Sequence, residues 1–149
     1  MNGGGEQKLL FPSLAGFYSC FGEIAYALVR VITGYNVFMH GYGKVSDFAG
    51  VSAYMTKVGL VPAAFFAGAN IFLETVGAVC IIVGLFTRFF AAALAVELGI
   101  AFLVVHLSRG FSVGKGGYEY VLLLGIVMFA IAIRGGGRYS LDRLVGKEL

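Results

Sequence analysis

Three ionisable side chains interrupt the apolar runs of this sequence. They are Arg30 in "YALVRVITGYNVFMHGYGK", Glu74 in "NIFLETVGAVC" and Glu97 in "ALAVELGIAF". Their chemistry is complementary, because a guanidinium presents a planar fork of donors that suits a carboxylate. One arginine with two glutamates leaves a surplus negative charge. In low dielectric, either one carboxyl holds a proton or a second cation must approach. A protonatable carboxyl beside a fixed arginine can relay protons or hydrogen-bond a quinone carbonyl. The same residues can equally form a structural ion-pair layer that locks helices in register. Arg30, Glu74 and Glu97 are therefore the candidate catalytic residues, with Asn70 one helical turn from Glu74 extending the polar patch.

A second group of polar residues collects near the other ends of the same segments. His40 and His106 each lie ~27 Å along their helices at ~1.5 Å per residue, and Glu119 begins a later one. Lys44, Arg109 and Lys115 are close in sequence to these positions. Histidine, carboxylate and lysine together could protonate a redox substrate or hold an anion such as a sulfur oxyanion. His40, Lys44, His106 and Glu119 are the candidate substrate-binding residues; simple solvation at a membrane edge is the competing account. No metal site is expected, since the two histidines and the carboxylate come from three segments without ligand spacing. "GYGK" lacks the strand, the spacing and the Ser/Thr of a phosphate loop.

The elements that must position these residues are membrane helices. The chain has 149 residues, of which 59% are hydrophobic and only 13% charged, about half the charged share of a soluble domain. Lipid must cover much of the surface of such a chain. Four apolar segments, roughly 22–41, 62–84, 88–107 and 117–133, are near the ~20 residues that cross a hydrocarbon core. They predict an all-α, integral membrane four-helix bundle, preceded by a flexible or interfacial segment over residues 1–21. The fourth segment is shortest and is expected to borrow Arg134 by snorkelling. The connection before the second segment predicts a short interfacial or re-entrant helix, because Phe48, Val51, Tyr54 and Met55 share a face.

On this count Arg30 lies ~12 Å, Glu74 ~15 Å and Glu97 ~13–14 Å above the end that carries both termini. All three then reach one depth near the bilayer centre, and Arg30 is expected to meet Glu74, Glu97 or both. Glu23, Tyr26, Gly34 and Gly41 fall on the same helical side as Arg30. Ala91, Ala95 and Gly99 form a flat stripe for another helix, and Gly77 and Gly84 do the same at heptad spacing. Lys8, Arg88, Arg134, Arg138, Arg143 and Lys147 collect on one side, against Lys44, Lys57, Arg109 and Lys115 on the other. This bias predicts cytoplasmic termini. The net charge of +3 follows from such flanking residues, and no basic run or aromatic-interleaved patch points to nucleic acid. Cys20 and Cys80 form no CxxC pair, so an internal thiol–disulfide centre is not expected.

In order and spacing, Arg30 with Gly34, "FMHGYGK", Glu74–Gly77–Gly84 ending in "GLFTR", "GGYEYVLLL" and "GGGRYSLD" resemble the DoxX family of small four-helix membrane proteins. The resemblance runs over nearly all of the chain after its first twenty residues. It implies a bacterial or archaeal multi-pass protein of the cell (inner) membrane. The family takes its name from a subunit of an archaeal thiosulfate:quinone oxidoreductase, and bacterial relatives are linked to complexes handling oxidative stress and thiols. The expectation is a membrane subunit of a quinone-linked oxidoreductase, with quinone as ligand, no covalent or metal cofactor, and other membrane or peripheral redox subunits as partners. Independent catalysis is not expected. A non-catalytic structural or assembly subunit is the alternative, and a small transporter or proton path ranks third.

Overall fold

The computed structural model describes residues 9–147, and every regular element among them is helical. Six helices follow in order. They are α1 (Ala15–Lys44), α2 (Phe48–Lys57), α3 (Ala63–Val83), α4 (Thr87–Arg109), α5 (Glu119–Arg134) and α6 (Leu141–Val145). Three of them, α1 with its preceding turn, α3 and α4, are long and apolar enough to cross a membrane. The protein is an all-α, multi-pass membrane protein.

Its hydrophobicity is distributed accordingly. Val37, Ile81, Leu94, Met128 and Ile131 form a thin buried core, while Leu28, Ile32, Val96, Leu103, Ile126 and Phe129 point outward. An exterior of this kind is stable only against acyl chains. The 16-residue α5 packs along α4, with Gly125 against Leu98.

The segment ahead of the first span differs from expectation. Helix α1 begins at Ala15 and not at Gly22, so most of the 1–21 segment that is described is helical. Residues 1–8, Lys8 among them, lie outside the described residues. The short connecting helix is present as α2; Asp47 caps it by accepting from the Gly50 N–H at 3.0 Å.

The register of α1 against α3 is the main departure from the depth count. Gly34 faces Ala78 and Ile82, and Gly41 faces Glu74, each so closely that a methyl group would overlap its neighbour. Arg30 consequently lies level with the end of α3, about two turns from Glu74. It meets neither Glu74 nor Glu97. Its Nη1 donates to the carbonyls of Ile81 at 2.6 Å and Ile82 at 3.1 Å, and its Nη2 to that of Tyr139 at 2.5 Å. The reason is physical. A helix C-terminus leaves its last carbonyls without N–H partners and carries the negative end of the dipole. Such an end can serve a guanidinium without any carboxylate.

Around Arg30 the loop and the tail interlock. Gly84 ends α3 with φ of +72°, a left-handed conformation that a side chain disfavours. A Cβ there would also lie 2.5 Å from Arg30 Nη1 and from Ser140 Cβ. Asp142 is fully buried, and its carboxylate accepts from the N–H groups of Phe86 at 2.7 Å and Thr87 at 2.9 Å. It also accepts from the Thr87 hydroxyl at 2.6 Å. It thus caps α4 from the far end of the sequence. Tyr26 donates its hydroxyl to the Gly135 carbonyl at 2.5 Å. Arg134, expected to snorkel, pairs with Glu23 at 3.0 Å and covers the Tyr26 ring.

The small-residue stripe is realised in part. Ala91 is buried and Ala95 packs on the core, but Gly99 meets nothing. Gly77 admits Phe90, whereas Gly84 serves the turn.

Replacing Arg30 by alanine leaves three carbonyls unanswered and should lower stability by more than about 2 kcal/mol. Arg30→Lys should recover only part, since one ammonium lacks the fork that reaches both α3 and the tail. Thermal denaturation in detergent reads both, and wild-type midpoints for the two variants would refute this role.

Candidate functional site

Helix α1 ends level with Asn70, about two turns short of the outer end of α3. Helix α2 occupies the space left above it. Beneath α2 and between the four long helices lies a cavity of about 720 Å³, largely apolar, onto which Val51, Tyr54 and Met55 of α2 face. Those residues belong to the shared face read from the sequence; Phe48 does not line the cavity but rests beside Gly68.

The polar wall of this cavity is built by three helices. Lys44, the last residue of α1, donates from Nζ to Glu74 Oε2 at 2.6 Å and to Asn70 Oδ1 at 2.9 Å. Asn70 Nδ2 in turn donates to Glu74 Oε1 at 3.3 Å and to Glu97 Oε1. Lys44 therefore takes the place expected for Arg30 as the cation beside the carboxylates, the surplus negative charge remains, and Asn70 is the hinge between Glu74 and Glu97. Glu97 Oε2 is buried and has no hydrogen-bond partner. A buried carboxylate oxygen left open costs free energy unless something arrives to answer it.

Local backbone makes this wall possible. Glu74 lies in a single π turn, Leu73–Gly77, within α3. Such turns re-aim side chains and are frequent at functional sites. Gly41 allows α1 to touch it: a Cβ there would stand 2.6 Å from Glu74 Cβ and 2.7 Å from its carbonyl carbon and oxygen. A second π turn, Phe102–His106, places His106 at the cavity's outer rim. His106 Nδ1 lies 2.7 Å from the Gly116 carbonyl oxygen. A carbonyl only accepts, so Nδ1 carries a proton there, and Nε2 is the ring nitrogen left to face the cavity. His40 also lines the cavity, its ring 5.9 Å from that of Tyr120.

The two layers read from the sequence are thus one site with altered membership. Glu74, Glu97, Lys44, His40 and His106 line a single cavity. Arg30 leaves the group for the end of α3, for the reason given above. Glu119 also leaves it: exposed at the start of α5, it accepts from the Val113 N–H at 3.2 Å and ties down the loop. Tyr120 lines the cavity in its place. Helical phase in "GGYEYVLLL" could have identified Tyr120, since Val121 and Leu124 mark the inward side. Among the described residues no three His, Cys, Asp or Glu side chains form a group placed to hold a metal ion.

Comparison with known proteins gives a consistent picture. The DoxX sequence profile matches residues 25–107. The chain is 33% identical over 126 residues to a Bacillus subtilis protein named "Putative oxidoreductase CatD", covering 84% of this chain and 90% of that one. It is 30% identical over 129 residues to the Escherichia coli "Inner membrane protein YqjF", covering 85% and 95%. No solved structure matches the chain.

If Lys44 and Glu74 form the joint between α1 and α3, Lys44→Met and Glu74→Gln should each destabilise. The double variant should lose less than their sum, with a coupling of about 1–3 kcal/mol. A chemical denaturation cycle in detergent measures it, and additivity within about 0.5 kcal/mol would show that the contact carries no energy.

Proposed function

The chain belongs to the DoxX family, and from that premise we propose that it is the membrane subunit of a quinone-linked oxidoreductase. The observation that carries this reading is the cavity of about 720 Å³ whose one polar wall ends in the unpartnered Glu97 Oε2. An apolar chamber with a few convergent polar groups suits a ligand with a polar head and an apolar body. A charge layer sealed by side chains would have favoured a purely structural role. The name of the Bacillus relative points the same way.

A quinone, when bound, supplies a two-electron, two-proton couple. The side chains are suited to hold its head and exchange protons. Lys44 Nζ has three protons and directs two bonds at Asn70 and Glu74, leaving one donor for a carbonyl oxygen. Glu97 can take or give a proton at Oε2, and Asn70 keeps that carboxyl in place through Oε1. His106 can exchange a second proton at Nε2. Val104, Phe65 and Met55 give the apolar body its surroundings. No cysteine lines the cavity, so electrons would come from a partner subunit or a reduced sulfur compound, and the chain would not be catalytic alone.

The same proposal includes topology. Helix α5, packed along α4, would complete a four-helix bundle. Arg88, Arg134, Arg138, Arg143 and Lys147 gather around Glu23 near the start of α1, which supports cytoplasmic termini. The name of the Escherichia coli relative supports the inner membrane.

Gently extracted protein should carry a mass matching a quinone in native mass spectrometry. Lys44→Met and Glu97→Gln should lose it, while Glu119→Gln should keep it. Absence of a retained quinone, together with no saturable uptake of added quinone in nanodiscs, would overturn the proposal and leave the assembly-subunit reading.

A further inference from the structure

The cavity beneath α2 is not walled on every side. Helices α3 and α4 meet along the half nearer their connecting loop, where Gly77 admits Phe90 and the rings of Phe72 and Phe90 lie 6.3 Å apart. Beyond that level the outer turns of α3, Ala63–Phe72, pack on α2 and α1 and scarcely touch α4. The two helices diverge toward their outer ends, and a slot stands between them. Cavity and surface meet at this slot. Phe65 of α3 and Val96, Ile100 and Val104 of α4 line the cavity, yet they are 68%, 65%, 37% and 42% exposed. A side chain does both only at an opening.

Val96, Ile100 and Val104 recur at one-turn intervals and form a single edge along α4. Phe65 and Ala69, also one turn apart, line the cavity from α3. All five are apolar and belong to spans long enough to cross a membrane, so the medium outside the slot is acyl chain. Glu97 lies between Val96 and Ile100 on the same helix, with its unpartnered Oε2 buried within. The far side of the cavity differs: α1 and α5 approach each other there, the His40 ring 5.9 Å from that of Tyr120. The outer rim is polar, carrying His106 and Arg109. A chamber of about 720 Å³ encloses a drug-sized body, and a tail of many isoprene units has to continue outside it. The slot is the apolar way out.

We propose that the cavity takes its ligand sideways from the bilayer. The ligand is a membrane-dissolved molecule with its polar head at Glu97 and Lys44 and a long apolar tail lying in the slot between α3 and α4. Val96 and Ile100 are the residues that admit the tail and so select for it. For the head group this rests on the reading of the cavity as a quinone site; the lateral opening does not depend on it.

The chain contains no tryptophan, so Tyr120→Trp places a single indole on the wall across from the slot. In nanodiscs of lipid brominated along its acyl chains its fluorescence should be quenched, as should that of Phe129→Trp on the lipid-facing side. Adding Val96→Phe and Ile100→Phe, which fill the slot from exposed positions, should relieve the first quenching and leave the second as it was. Native mass spectrometry then compares ubiquinone-8 and menaquinone-8 with their one-isoprene analogues. The filled slot should cut retention of the long-tailed quinone at least ~10-fold and leave that of the short one unchanged. Val96→Phe alone should show both effects in part and serves if the double variant misfolds. Equal retention of the long-tailed quinone by wild type and a folded filled-slot variant would overturn the proposal and leave the quinone reading standing. An indole at position 120 that brominated chains do not quench would also overturn it. Quenching relieved by filling the slot, in a wild type that takes up no quinone, would support the lateral opening and remove the quinone reading.

Discussion

The guanidinium of Arg30 is the contact on which the arrangement of this protein turns. It holds the last carbonyls of α3 and the carbonyl of Tyr139 at once, and so joins the first helix, the second long helix and the tail. No water competes at that point, because the side chain is only 1% exposed. In a chain whose exterior is hydrocarbon-facing, lipid offers a buried polar group no partner, and the protein itself is the place to find one. Arg30 finds it in the end of a helix. Asp142 does the reverse at the start of α4, taking up N–H groups that its helix cannot satisfy. The loop between α3 and α4 is therefore clamped from both sides.

That clamp sets the register further up. With Arg30 level with the end of α3, Gly34 and Gly41 fall opposite Ala78 and Glu74, and Lys44 comes level with Asn70. Helix α1 then stops before α3 does. The shortfall is what opens the cavity, and α2 covers it without filling it. A polar cluster and a chamber thus arise from the same sliding of one helix against another. The opposite end of α1 runs past the bundle, leaving Phe17, Tyr18 and Phe21 exposed. There Glu23 and Tyr26 gather the tail through Arg134 and Gly135.

Much of this was legible in the residues alone. Hydropathy and length mark the long helices because a bilayer demands runs of apolar residues of a certain length. The inward face of α1 was readable too: Glu23, Tyr26, Arg30, Gly34 and Gly41 share one side by helical phase, and each of them packs inward or toward the tail. The polar residues that line the cavity, Glu74, Glu97, His40, Lys44 and His106, stand out as ionisable groups in apolar surroundings. Asn70 follows from its place one turn from Glu74.

What the residues could not determine was which of them meet. Phase around a helix is a local property, but the sliding of one helix along another depends on where each begins and on what its ends bind. A start at Ala15 in place of Gly22, a π turn at Glu74 and a helix end that accepts a guanidinium are each invisible to a count of ~1.5 Å per residue. Together they moved Arg30 out of the carboxylate group and Lys44 into it. Sequence determined the set of charges and the faces that carry them. Only the tertiary structure decided their pairing, because a shift of about two turns changes every partner along a helix while leaving its periodicity unchanged.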